Sequence, residues 1–163
     1  YTKLHIGRMG ADGPDEVDDI TDTFDVSTWV ANKAVEIDDI TVTPVPVEHT
    51  ALESHALRVA ERSTGKVLAF SGDSGMTPTL VDAARDADIF LCEAAWGPSA
   101  EGKPGGMHLS GAQAGEIARR AGVKTLVLVH IQPWADKQAT LEAARGEFDG
   151  EILLGAAGDV FDL

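Results

Sequence analysis

Cysteine is nearly absent from this chain: Cys92 stands alone among 163 residues. One thiol cannot build a disulfide framework, which excludes the small stapled secreted folds and fits a reducing, cytoplasmic setting. Its place inside an apolar run reads as a small buried hydrophobe. Long apolar runs are missing too, and nothing approaches the roughly 18 residues that span a bilayer. Basic residues are scarce, with 13 Lys and Arg against 27 Asp and Glu and a net charge of −14. Such a surface repels nucleic-acid backbones, whose binding needs cations to displace counterions. It still admits a small anion if a metal neutralises the charge locally. Nothing near Tyr1 resembles a signal peptide, and the absence of an initiator Met suggests that residues upstream were removed or lie outside this sequence.

What is present is ordinary for a folded domain: 44% apolar and 25% charged residues in a length that can bury a core. Residues 1–33 read as an acidic loop with a short packing segment. Seven carboxylates fall between Asp12 and Asp25 without one Lys or Arg. They lack the bidentate Glu and regular spacing of an EF-hand, so a solvated loop is the expectation. Phe24, Val26, Trp29 and Val30 then restore apolar character and are expected to pack on the body.

Residues 34–163 alternate strand and helix signals. Strands are expected over Ala34–Ile37 and Ile40–Val47, with Asp38-Asp39 between them and Pro44 and Pro46 marking an edge or terminal segment. A hairpin comes next, from His55–Glu61 to Lys66–Ser71 around Ser63-Thr64-Gly65. Thr77 and Pro78 open a helix with an apolar face of Leu80, Val81, Ala84 and Ala87. A buried strand runs from Ile89 to Cys92 and ends at Glu93. Ser110 and Gln113 form a capping box for a helix to Ala121, stopped by Gly122. A third buried strand, Thr125–Val129, ends at His130. A helix near 135–145 and a strand pair, Ile152–Leu154 and Val160–Leu163, complete the chain. The pattern is α/β with a mainly parallel sheet. Apolar parallel strands need cover on both faces, and the helices are few for that, so a further layer is expected.

Polar groups recur at strand ends. His49, Asp73, Glu93 and His130 each stand at or one residue past the carboxyl end of a strand, and His108 lies just before a helix. Ends of parallel strands converge on one edge, where open α/β sheets place ligands. Imidazole and carboxylate suit zinc, manganese or iron. Asp73 lies in Gly72-Asp73-Ser74-Gly75, and three roles compete for it: metal ligand, phosphate-loop residue, or neighbour of a nucleophilic Ser74. The protease-like string sits in a strand-to-helix turn of a one-cysteine chain, a context foreign to the disulfide-bonded β-barrels that carry it. The phosphate loop lacks both G-x-G-x-x-G and G-x-x-x-x-G-K-[ST].

Taken together, the motifs resemble the metallo-β-lactamase fold, in its branch of phosphodiesterases and ribonuclease Z-like endonucleases. They are Val47-Glu48-His49 with Ser54–Val59, Ala69–Gly75, Leu91–Trp96, His108-Leu109-Ser110-Gly111 and Leu126–Ile131, in family order over about residues 40–134. Pro133-Trp134 and Glu147-Phe148-Asp149-Gly150 look most like actinobacterial cyclic-nucleotide phosphodiesterases. The resemblance implies the C-terminal portion of an αββα sandwich. It implies two divalent metal ions, zinc first and manganese or iron next, held by His49, Asp73 and His130 with Asp73 bridging. The expected reaction is hydrolysis of a cyclic nucleotide, cyclic AMP above others, with Asp73, Glu93 and His108 in the catalytic set. His108 is expected to act on the phosphoryl or leaving oxygen. Glu93 is expected to orient His108 or a metal-ligating histidine, or else to bond backbone as a plain strand-end carboxylate.

One departure stands out. The family's His-x-His-x-Asp-His occurs nowhere here, and the resemblance places it in an N-terminal part of the same protein, which becomes an expected partner. The alternatives are a tRNA 3′-processing activity, which the charge disfavours, and a non-catalytic binding module. A homodimer is left open, and no membrane partner is expected. His5 and His55 are expected to be structural or exposed.

Overall fold

A computed structural model describes residues 24–50 and 52–163 of the chain. They form one seven-stranded sheet in the order β1-β2-β3-β4-β5-β6-β7, with three helices. The strands are β1 (Val35–Ile37), β2 (Ile40–His49), β3 (Leu52–Glu61), β4 (Val67–Phe70), β5 (Ile89–Glu93), β6 (Thr125–Val129) and β7 (Glu151–Leu154). The helices are α1 (Pro78–Ala84), α2 (Gly111–Ala121) and α3 (Lys137–Arg145).

β1 to β4 pair antiparallel and β4 to β7 pair parallel. A helical crossover is what a parallel pair requires, and α1, α2 and α3 each fill one such connection. Period two in the strands sorts the side chains into two rows. Ala69, Phe90, Leu126 and Ile152 stand in register across β4 to β7 and are buried under the helices with Leu80, Ile117 and Leu141. The alternate row is Leu57, Phe70, Leu91, Val127 and Leu153, on the face away from the helices. There Phe70 is 40% exposed. The helices thus cover one face only, as their small number suggests.

Local signals explain the element ends. Ser110 Oγ accepts from Gln113 N and Gln113 Oε1 accepts from Ser110 N, which closes the capping box of α2. Gly122 ends that helix in the left-handed conformation with φ 69°. Asp136, which the sequence pattern did not single out, caps α3 by accepting from Ala139 N at 2.9 Å. Thr77 occupies the cap of α1 without a side-chain bond to the backbone, its hydroxyl lying instead 3.2 Å from Thr79. Pro44 and Pro46 sit where β2 has outrun β1, whose pairing stops at Val42, so no ladder bond is lost there.

One expectation fails: Val160–Leu163 forms no strand. The turn before it closes on itself through Ala156 N–H to Asp159 Oδ2 and Asp159 N–H to Ala156 O, and residues 160–163 take no ladder partner. Phe24, Val26, Trp29 and Val30 are only partly covered, being 40–63% exposed. Their stretch is tied by backbone, with Asn32 N–H donating to Pro44 O at 2.7 Å. The acidic residues from Asp12 to Asp22, and His5, lie outside the described residues.

Candidate metal centre

Four strand ends meet at one edge of the sheet. β4, β5 and β6 run parallel, so Asp73, Glu93 and His130 leave the sheet on the same side. β3 opposes β4 and β2 opposes β3, which brings the carboxyl end of β2, at His49, to that side as well. The loop before α2 adds His108. The nearest donor atoms of His49, Asp73 and His108 lie within 4.8 Å of one another. His130 Nδ1 is 3.7 Å from Asp73 Oδ1, and its ring stacks on His108 with centroids 5.5 Å apart and planes at 27°. The His49 and His108 rings are 5.0 Å apart. Asp73 therefore lies against the imidazoles, and the His108 ring neighbours both of the others.

Each ring is oriented by a second group. His49 Nδ1 lies 2.6 Å from Met107 O. A carbonyl only accepts, so Nδ1 carries the proton and Nε2 is left as a lone-pair donor for a cation. His108 Nδ1 is held at 2.9 Å by Glu93 Oε1, which likewise leaves its Nε2 unprotonated in the neutral ring. Glu93 is 1% exposed and also accepts from Ser74 N, Ala95 N and Leu109 N at 2.8–3.2 Å. A buried carboxylate with four N–H donors is a fixed anion, and its burial is compensated by those bonds. His130 has φ 53°, in the left-handed region where a side chain is strained, and Gln132 Nε2 lies 3.2 Å from its Nε2.

The Gly-Asp-Ser-Gly turn is built by close approach. A Cβ on Gly75 would stand 2.6 Å from Gly106 Cα, and one on Gly106 would stand 2.5 Å from Glu48 Oε1. Gly75 N–H donates to Glu48 O at 2.6 Å, Thr50 N–H to Gly106 O at 2.8 Å, and Ser54 Oγ to Asp73 O at 2.9 Å. Gly75 and Gly106 therefore bring three loops together, a packing role that competes with an anion cradle. Ser74 is fully buried and its hydroxyl donates to Gly75 O at 2.8 Å, so it faces no substrate. His55 lies mid-strand opposite Pro46, beside Glu53, and takes no part in the cluster.

The geometry groups the residues differently from the sequence-based expectation. That expectation placed His49, Asp73 and His130 on metal and gave His108 a separate role. Here His108 comes within the same 4.8 Å group as His49 and Asp73, while His130 stands outside that group with Nδ1 3.7 Å from Asp73 Oδ1. Met107 and Gln132 were not singled out. The first acts through a backbone carbonyl, which no residue type announces, and the second could have been found as an amide two residues past a strand-end His. The donor set fits a divalent cation: two imidazoles with their far nitrogens already bound, plus a carboxylate. Among the described residues no helix is long and apolar enough to cross a membrane. Cys92 is fully buried, and burial pushes its thiol well above the usual range, consistent with a packing role.

Residues 7–131 match the family model described as the beta-lactamase superfamily domain. The chain is 40% identical over 162 residues to an uncharacterized protein of Mycobacterium leprae, covering 99% of this chain and 56% of that one. It is 32% identical over 123 residues to a ribonuclease Z of Halorubrum lacusprofundi, covering 74% of this chain and 40% of the relative. The chain spans about half the length of the curated relatives it matches. A solved metallo-β-lactamase-fold protein of Bacillus subtilis superposes with a TM-score of 0.73 at 19% identity, over 82% of this chain and 54% of that one. The seven-stranded sheet with its helices is that fold.

Proposed function

The chain belongs to the beta-lactamase superfamily, and we propose that it is the metal-binding part of a phosphodiesterase that hydrolyses a 3′,5′-cyclic nucleotide, cyclic AMP first among them. The observation that supports this reading best is the convergence of His49, Asp73, His108 and His130, with His108 locked to a buried Glu93. His49, Asp73 and His130 would hold the divalent cations, two in number and zinc in the first instance. Bound there, such ions polarise a phosphoryl oxygen and activate water.

The residues of the chain supply the rest. Met107 O and Gln132 hold the His49 and His130 rings in place. In its protonated form the His108 ring presents Nε2–H toward the phosphoryl group, where that proton can be passed to the leaving oxygen. Glu93 stabilises the imidazole while it carries that proton. A dinuclear site needs more donors than His49, Asp73 and His130. In this reading the others come from an N-terminal part of the same protein carrying His-x-His-x-Asp-His.

A second reading, tRNA 3′ processing, is favoured by the haloarchaeal relative's name, ribonuclease Z. The net charge of −14 weighs against it, because a long polyanion needs a basic surface. A single cyclic phosphodiester does not. The test is to load the longer protein, with its N-terminal donors, with zinc and supply cyclic AMP and precursor tRNA in separate assays. Conversion of cyclic AMP to AMP, lost in Asp73→Ala, is the expected result. Cleavage of the precursor with no turnover of cyclic AMP would replace this reading by the second.

A further inference from the structure

A cavity of about 320 Å³ opens beside the candidate metal centre, lined by Trp96, Lys103, His108, Gln132 and Trp134. Its size lies at the lower end of small-ligand pockets, which run from about 300 to 1,000 Å³. It shares His108 with the donor cluster, so one ligand can touch both.

The walls carry unused binding capacity of three kinds. Trp134 is 84% exposed, an indole face in water at the cavity wall. The Trp96 ring meets His108 edge-on at 5.0 Å, and its indole N–H is buried with no partner among the described residues. Lys103 is the one cation among the lining residues and holds its ammonium 5.6 Å above the Trp96 ring. Gln132 contacts His130 Nε2 through one position of an amide that has several.

We propose that this cavity is a base pocket, which takes the planar heteroaromatic ring of a nucleotide stacked on Trp134 and read at its edge by Gln132. The inference rests on the phosphodiesterase reading for one point only, the location of the phosphoryl group at His49, Asp73 and His108. A purely aliphatic ligand would leave the Gln132 amide and the Lys103 ammonium without partners. A bare phosphate would leave the Trp134 face uncovered. A heteroaromatic base on a phosphate uses all three, with Lys103 as the lining cation for an anionic ligand.

The test compares binding of AMP and ribose 5-phosphate to the zinc-loaded chain by calorimetry, since neither is a phosphodiester to be consumed. Stacking of one base on an aromatic side chain contributes about 1–3 kcal/mol, so AMP is expected to bind roughly 5- to 150-fold more tightly. Trp134→Ala should abolish that ratio and Trp134→Phe should keep most of it. The position is exposed, so neither change threatens the fold. No preference for AMP, or a ratio unchanged in Trp134→Ala, overturns the pocket. Hydrolysis of cyclic AMP is scored separately, on the longer protein that carries the N-terminal donors. A base preference without hydrolysis by that longer protein supports the pocket while removing the phosphodiesterase reading, and hydrolysis without a base preference does the reverse.

Discussion

Glu93 Oε1 lies 2.9 Å from His108 Nδ1, although the two residues come from different elements, the end of β5 and the loop before α2. The same carboxylate accepts backbone N–H groups from Ser74, Ala95 and Leu109, so one buried side chain ties three segments of the site's floor together. Its position fixes the tautomer of His108, and hence which nitrogen faces the metal-ligating side.

Glu93→Gln preserves the shape but sets an amide NH₂ against an N–H donor. Outer partners of this kind contribute about 10- to 100-fold to metal affinity or activity. The same substitution should lower stability by about 1–3 kcal/mol, since a buried donor loses its acceptor. Calorimetric zinc titration and urea unfolding read the two effects separately. Unchanged zinc affinity together with unchanged turnover would remove Glu93 from the site.

Asp73→Ala removes the carboxylate against the imidazoles. Stoichiometric zinc retention after dialysis, measured by elemental analysis, is expected to be lost. Because the side chain is 44% exposed, stability in the absence of metal should shift by no more than about 0.5 kcal/mol. Full zinc occupancy in the variant would show that the histidines bind without it.

Ser74→Ala separates the metal reading from the decoy nucleophile. The hydroxyl is buried and bonds only the neighbouring Gly75 carbonyl, so its loss should cost about 0.5–1.5 kcal/mol and leave zinc binding intact. Turnover of cyclic AMP that disappears in this variant, with metal still bound, would restore a nucleophilic serine.

Asp88 gives the fold an acid-sensitive latch at the opposite end of the sheet. Hydrogen bonds from Lys124 at 2.6 Å, Val67 N at 2.8 Å and Lys66 at 3.3 Å lower its carboxyl from 3.8 to about 2. The folded value lies below the unfolded one, so the stabilisation is complete above about pH 4 and is lost as pH falls through about 2. Both lysines are solvent-exposed, which reduces the contribution to about 1–2 kcal/mol. Urea midpoints of the wild type should fall between pH 5 and pH 2 by more than those of Asp88→Asn. Parallel decline in the two proteins would place the acid sensitivity elsewhere.

Much of this molecule is determined by sequence on its own, because the forces that mark it are short-range. The capping box of Ser110 and Gln113, the left-handed stop at Gly122 and the Pro78 start of α1 each act within a few residues, and each is found where the pattern put it. The α/β alternation and the polar residues at strand ends arise from the same local periodicities. Tertiary structure decided what those residues do together. The partner of His49 is a carbonyl 58 positions away, and His108 joins Asp73 only because β2, β4 and the loop before α2 meet around Gly75 and Gly106. It also decided against strand pairing at Val160–Leu163 and left Phe24 and Trp29 exposed. Residue type and spacing specify which bonds a segment can make with itself, but register and loop closure select which distant groups share a site.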